Sequence, residues 1–490
     1  MNVRRWRLGL AFLALACWGC GSGPGPGPGL GAGPDAGAPD AGSADIRVLL
    51  AAVPGLVIVG EQGGGVAGYR RFDLTFEQPV DHAAPAGQHF RQRLVLLYRD
   101  AAAPTVLETA GYFLPPPTRT ELAALVNGNQ LSVEHRYFAS SIPDPPVDWT
   151  GLDIRQAADD HHAVVLALRP VLTGRWISTG LSKGGMAAVF HRRFHPSDVD
   201  GTVAYSAPIV YEADQRQDPQ NRFFEFLGQV GTDSSCRQAL RDFQVTVLER
   251  RSEMLDRMAL HATQQGIAWG QLGTEKALEF AVEDTPFVFW QYGAASRCAT
   301  IPPASATTDA LFTFLDLTVE VRIYSDVELA RFAPYYYQAA DQLGYPIGDE
   351  SYLTNDAGQS LLKFPDSNHA GAYVPSSISA PVYGETEMRD IQSWVSTQGT
   401  RLLFIYGEID PWSAARFELD QATDSFRVVA PGGNHLSAIR DLAPQDRSTA
   451  LDAISRWAGV SVSATASTVE TASGDRVRSE RLSLRGAGTP

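Results

Sequence analysis

The sequence predicts an α/β protein: a largely parallel sheet with crossover helices, interrupted by a long, mainly helical insertion. Three observations lead there. From about residue 105, short β-branched runs alternate with helical patterns, the signature of parallel strands joined by crossovers. The alternation stops after Ser206 and resumes at Arg401. The stretch between, about residues 208–388, is rich in helix signals and aromatic residues.

Taken in order, residues 57–59, 69–76 and 92–98 read as strands separated by Gly and Pro clusters, so the region 46–100 is β-rich. Residues 105–109 and 130–134 are the next strands. A helix is expected over 153–169, stopped by Pro170, with Ala157, Val164, Val165 and Leu168 on its apolar side. The run 176–179 reads as a buried strand and 185–195 as a helix stopped near Pro196. Residues 202–206 form the next strand. After the insertion come strands over 401–406 and 426–429, then a helix over 448–457. No internal repeat is visible.

The two ends have different compositions. Arg4, Arg5 and Arg7 precede an apolar run over 8–18, which is the order of an export signal and too short for a permanent membrane span. Cys17 and Cys20, each after a small residue, are candidate lipid-bearing cysteines of a bacterial lipoprotein. Residues 1–20 are thus read as the signal. Residues 21–45, almost wholly Gly, Pro, Ala and Asp, are read as a flexible tether and 461–490 as a disordered tail, because neither can bury enough apolar surface to offset ordering. The expected location is the cell envelope, lipid-anchored, or the medium. The remaining cysteines, Cys236 and Cys298, suit a disulfide in an oxidising compartment. A formal charge of −15 with no basic run argues against nucleic acid as a partner. No H-E-x-x-H occurs, no zinc spacing is present and no cofactor motif appears, so neither a metal nor a cofactor is expected. The cluster Asp159-Asp160-His161-His162 reads as a solvated helix face.

The chemistry sits at three strand ends. Gly180-Leu181-Ser182-Lys183-Gly184 matches G-x-S-x-G between a strand and a helix, where a sharp turn exposes a nucleophilic serine. A Gly-rich turn with a capping serine gives the same letters, but the strand–helix context favours the nucleophile. A serine needs a base and an acid, which in this arrangement follow in the order Ser, acid, His. Asp410 follows the strand over 401–406 and His435 follows the strand over 426–429. Glu408 competes as the acid, and Asp410 is preferred because Asp410-Pro411-Trp412 is a turn suited to fixing a short carboxylate. The backbone N–H of Lys183, with Gly111 or Tyr112 from the loop after strand 105–109, would form the oxyanion hole. The fold class is therefore an α/β-hydrolase core, over 46–207 and 389–460, with an inserted helical cap over 208–388.

Several segments resemble the secreted tripeptidyl aminopeptidase family of bacterial serine peptidases. They are Gln78-Pro79-Val80-Asp81-His82, Glu108-Thr109-Ala110-Gly111-Tyr112-Phe113, Gln130-Leu131-Ser132-Val133-Glu134-His135-Arg136-Tyr137-Phe138, Ser178-Thr179-Gly180-Leu181-Ser182-Lys183-Gly184-Gly185-Met186, Tyr406-Gly407-Glu408-Ile409-Asp410-Pro411-Trp412 and Gly432-Gly433-Asn434-His435. The E-H-R-Y element is also similar to one in the prolylcarboxypeptidase and dipeptidyl peptidase II group. The resemblance implies release of short peptides, tripeptides in that family, from free amino ends, and peptides as the partners. A carboxylate should hold the substrate ammonium, and Glu134, Glu212 and Asp214 are the candidates. Two other readings use the same residues: an esterase or lipase with the same triad, and a non-catalytic cell-surface binding protein.

Overall fold

The structure is a computed structural model that describes residues 45–63, 65 and 67–462. The export segment, Cys17, Cys20, the tether up to Ala44 and the tail beyond Val462 lie outside the described residues. Among the described residues no helix is long and apolar enough to cross a membrane.

Among the described residues nine strands make one sheet: β1 (Leu56–Gly63), β2 (Arg70–Pro79), β3 (His89–Tyr98), β4 (Thr105–Thr109), β5 (Asn129–Val133), β6 (Trp176–Leu181), β7 (Gly201–Tyr205), β8 (Leu402–Gly407) and β9 (Phe426–Ala430). Their spatial order is β1-β2-β3-β5-β4-β6-β7-β8-β9. β1, β2, β3 and β5 pair antiparallel in turn, whereas β5, β4, β6, β7, β8 and β9 run parallel. This is the α/β-hydrolase sheet with one extra edge strand, β1. The burial patterns follow from position. β2 alternates between buried and less buried residues, as a strand covered on one face does. β7 and β8 are buried throughout, because helices cover both faces.

The helices preceding the insertion are α1 (Ile46–Ala51), α2 (Glu121–Val126), α3 (Ile154–Leu168) and α4 (Lys183–Phe194). Ala157, Val164, Val165 and Leu168 of α3 are buried as expected from the pattern. The cluster beside them is not a solvated face, which corrects that reading. Asp160 and His161 are buried, and Asp160 binds Arg136 through two contacts of 2.8 Å and His82 through one of 2.8 Å. A buried carboxylate requires such partners, and Arg136 supplies a matching fork.

Between β7 and β8 come α5 (Arg222–Gln229), α6 (Ser234–Glu249), α7 (Arg251–Gln265), α8 (Thr274–Tyr292), α9 (Thr308–Val319), α10 (Asp326–Arg331), α11 (Ala333–Gln338), α12 (Ala370–Tyr373) and α13 (Thr386–Gln398). The helices from α6 to α12 pack around their own apolar cluster, which includes Leu240, Phe243, Phe280, Trp290, Leu315 and Tyr373. Cys236, at the start of α6, is disulfide-bonded to Cys298, as expected from the pairing of the two late cysteines. α13 belongs instead with the sheet: Met388, Ile391, Trp394 and Val395 pack with Phe404 of β8 and Val189 of α4. The last helix among the described residues is α14 (Pro444–Ala458), whose Trp457 packs with Ile177, Val203 and Leu403.

Candidate active site

Ser182 sits in the turn between β6 and α4. Its backbone is at φ 56° and ψ −125°, a sparsely populated region for a residue with a Cβ. The surroundings enforce that turn. A Cβ on Gly180 would lie 2.2 Å from the Gly184 carbonyl carbon, so only glycine lets the chain cross itself here. Ser182 N donates to Tyr205 O at 2.8 Å, which ties the turn to the neighbouring strand. Although Ser182 occupies the N-cap position of α4, its side chain makes no capping bond. The ordinary use of a serine at a helix start is thus not taken, and Ser182 lines a cleft instead.

The loop after β4 closes one side of this turn. A Cβ on Gly111 would lie 2.5 Å from Gly184 N and 2.8 Å from the Lys183 carbonyl carbon, so the loop backbone lies directly on the start of α4. Lys183 holds it there: its buried Nζ donates to Gly111 O at 2.8 Å. The same ammonium lies 5.5 Å from the Tyr112 ring centroid and 5.6 Å from that of Phe138. Burial pushes the Lys183 amine well below its usual value. The motif itself points only to the Lys183 backbone; the clasp formed by its side chain depends on a loop 72 residues earlier and has no local signal.

Asp410 and His435 meet past the ends of β8 and β9. His435 Nδ1 and Asp410 Oδ2 are 2.8 Å apart, and both side chains are fully buried. The other carboxylate oxygen, Oδ1, accepts from Trp412 N at 3.2 Å, so the turn starting at Pro411 fixes the acid's orientation. Glu408, the competing acid, points elsewhere and accepts from Gly432 N at 2.6 Å. His435 is anchored on both sides. Its carbonyl accepts from Ser206 Oγ at 2.8 Å, just past β7. Its N–H donates to Gln291 O at 3.0 Å, at the end of α8 in the insertion. The Tyr292 ring meets the imidazole edge-on, with centroids 5.9 Å apart.

The cleft measures about 270 Å³ and is lined by Ser182 and Tyr112 from the sheet side. Aromatic residues from the insertion, including Trp290, Tyr292, Phe332, Tyr335 and Tyr345, form much of the rest. None of the three carboxylates expected to bind an ammonium lines it. Glu134, just past the interior strand β5, is fully buried, accepting from Ser141 Oγ at 2.7 Å and Leu114 N at 3.0 Å. Asp214 is engaged by Arg222, with Nε–Oδ1 at 2.9 Å, and by Tyr211 N at 2.9 Å. Glu212 is exposed and pairs with Arg216 at 2.9 Å. The carboxylates that do line the cleft, Glu283 and Asp284 among them, come from the insertion. Sequence reasoning had no handle on them, because nothing local distinguishes them from the other acids of helical surfaces.

Away from the cleft, His162, His195 and Asp198 present donor atoms within 4.8 Å of one another. Asp198 is already shared by His162 at 2.7 Å and His191 at 2.9 Å, and His195 binds Asp159 at 2.6 Å.

Residues 39–483 match the family described as PS-10 peptidase S37. The chain is 39% identical over 431 residues to the prolyl tri/tetrapeptidyl aminopeptidase of Streptomyces mobaraensis, covering 87% of each. It is 21% identical over 449 residues to prolyl carboxy peptidase like protein 5 of Caenorhabditis elegans, covering 79% of this chain and 86% of that one. Among solved structures, the proline iminopeptidase of Mycobacterium smegmatis is similar at 15% identity and a TM-score of 0.36, over 78% of this chain and 98% of that one. The resemblance seen in the motifs is therefore borne out across nearly all of the chain: this protein belongs to the peptidase S37 family and is a serine peptidase of α/β-hydrolase fold.

Proposed function

We propose that the protein is an exported exopeptidase that removes short peptides, chiefly tripeptides, from free amino ends through Ser182, His435 and Asp410. The observation that carries this reading is the fully buried 2.8 Å His435–Asp410 contact at the same sheet edge as the strained turn of Ser182. In the reaction, His435 takes the Ser182 proton as Oγ attacks the scissile carbonyl. Asp410 keeps the imidazole oriented and stabilises its charged form. His435 then protonates the leaving amine, and water repeats the cycle on the acyl-enzyme. The backbone N–H of Lys183 and one from the Gly111–Tyr112 loop receive the oxyanion. Removing one such donor typically costs 10²–10³ in turnover. The Lys183 clasp keeps the two segments at a constant separation while charge develops.

The helical insertion, residues 208–388, acts as the cap that limits the cleft to chain ends. The Streptomyces relative carries a prolyl specificity in its name. The aromatic walls of the cleft suit a compact, apolar ring such as that of proline next to the scissile bond. Export, with or without a lipid on Cys17 or Cys20, fits a peptidase held together by a disulfide.

The test is a peptide-library digest read by mass spectrometry, comparing wild type with Ser182→Ala. Tripeptides released from free amino ends by the wild type alone are the expected result. Internal cuts, or cleavage of blocked peptides, overturn it, and hydrolysis of esters alone favours an esterase.

A further inference from the structure

Nine carboxylates are buried among the described residues: Glu121, Glu134, Asp160, Asp198, Asp214, Glu279, Glu283, Glu328 and Asp410. Eight are held by hydrogen bonds or ion pairs, for example Glu279 by Arg251 at 2.6 Å and by Lys363 N at 2.8 Å. Glu283 is the exception. It is 4% exposed, and neither of its oxygens accepts a hydrogen bond from the described residues. An uncompensated buried carboxylate destabilises a fold, so its presence calls for a reason.

The surroundings of Glu283 make the site more negative still. Asp284 follows it in α8, half-buried, accepting from Tyr324 Oη at 2.7 Å and Asn368 Nδ2 at 2.9 Å. Burial, reinforced by Glu350 and Asp284, pushes the Glu283 carboxyl well above the usual carboxylate range; the Asn368 amide, whose hydrogen bond goes to Asp284 Oδ1 at 2.9 Å, approaches Glu283 without bonding it and offsets this only in part. The cations of the cleft are engaged elsewhere: Arg322 pairs with Glu328 at 3.0 Å, Arg237 donates to Val230 O at 2.9 Å, and Arg241 stacks on Tyr352.

Glu283 lines the same cleft as Ser182. It lies on α8 roughly two turns before Gln291, whose carbonyl receives the N–H of His435. At 1.5 Å per residue that separation is about 12 Å along the helix axis. Three residues of extended peptide span about 10 Å.

We infer that Glu283 is the anchor for the substrate's terminal ammonium, and that its distance from the reactive end of the cleft measures off the released tripeptide. A primary ammonium has three N–H donors and a full positive charge, which is what two unpartnered carboxylate oxygens beside a second acid lack. A blocked amino end has neither the charge nor the donors and leaves Glu283 buried without a partner. This assignment rests on the aminopeptidase reading above and adds the residue that enforces it.

The experiment measures kcat/KM for a fluorogenic tripeptide with a free amino end and for its N-acetyl counterpart, in wild type and in Glu283→Gln. Fluorophosphonate labelling of Ser182 and hydrolysis of a small acetate ester serve as references. For Glu283→Gln we expect about a 100-fold loss on the free peptide, mostly in KM, with labelling and ester hydrolysis unchanged. The ratio of free to acetylated substrate should fall towards one. A folded, labelled variant that keeps the wild-type ratio overturns the role of Glu283 alone. Wild-type cleavage of acetylated peptides as fast as free ones overturns the aminopeptidase reading itself. Should the variant misfold, calorimetry on Ser182→Ala compares a free tripeptide with its desamino analogue, and equal affinities overturn the proposal.

Discussion

Replacing Asp410 with asparagine removes one charge from a buried contact and changes no volume. The carboxylate lies 2.8 Å from His435 Nδ1, and both side chains are fully buried. With the two charge centres about 4 Å apart and an effective dielectric constant of about 20, the imidazolium of the proposed mechanism would be stabilised by about 4 kcal/mol. That alone corresponds to a rate factor on the order of 10³. Asparagine can also turn its amide N–H towards Nδ1, which favours the tautomer that cannot accept the serine proton. If Asp410 is the acid of the triad, the combined loss in kcat should approach about 10⁴, as this substitution gives in Ser-His-Asp enzymes. The assay is hydrolysis of a free-amine tripeptide substrate, with thermal unfolding as the check on folding. Glu408→Gln is the control, since that side chain reaches only Gly432 N and should change kcat less than about threefold. A folded Asp410→Asn variant within about tenfold of wild type, or a larger loss in Glu408→Gln, would refute the assignment of the acid.

Four further outcomes are expected. Gly111→Ala places a Cβ 2.5 Å from Gly184 N; the loop must shift, and kcat should drop about 10²–10³-fold while KM changes little, as steady-state kinetics will read. Replacing Cys236 and Cys298 with alanine opens a loop spanning 62 positions, and urea unfolding should show a loss of about 4 kcal/mol, absent when wild type is measured under reductant. Asp160→Asn leaves the buried Arg136 without its counter-charge, and unfolding should register a loss of about 3–5 kcal/mol. Burial raises the Asp284 carboxyl to about 6 from 3.8, so the folded state holds a proton that the unfolded chain releases between those values. That contribution to stability is present below about pH 4 and lost as pH rises through about 6; Asp284→Asn should therefore gain on wild type in melting temperature across that window, and an unchanged difference would contradict the shift.

Much of the architecture was legible in the chain because it is written locally. The parallel strands β6, β7 and β8 are short apolar runs bounded by breakers, and each appears within a residue or two of its expected place. The turn at Ser182 needs Gly180 at a close crossing, so the letters themselves report the geometry. The order serine, aspartate, histidine at three strand ends follows from the fold once the strands are found. The face of α3 was misread for a complementary reason. Charged letters look solvated until a partner is known, and Arg136 comes from a different element.

By itself, then, the sequence determined the sheet, the interrupted alternation and the residues placed at the strand ends, because each depends on neighbours a few positions away. Only the tertiary structure decided which carboxylates reach the cleft. Glu134 reads as available and is held by Ser141, whereas Glu283 reads like any helical acid and is buried with no donor among the described residues. Whether a side chain finds a partner depends on which distant segments fold against it, and no local pattern records that.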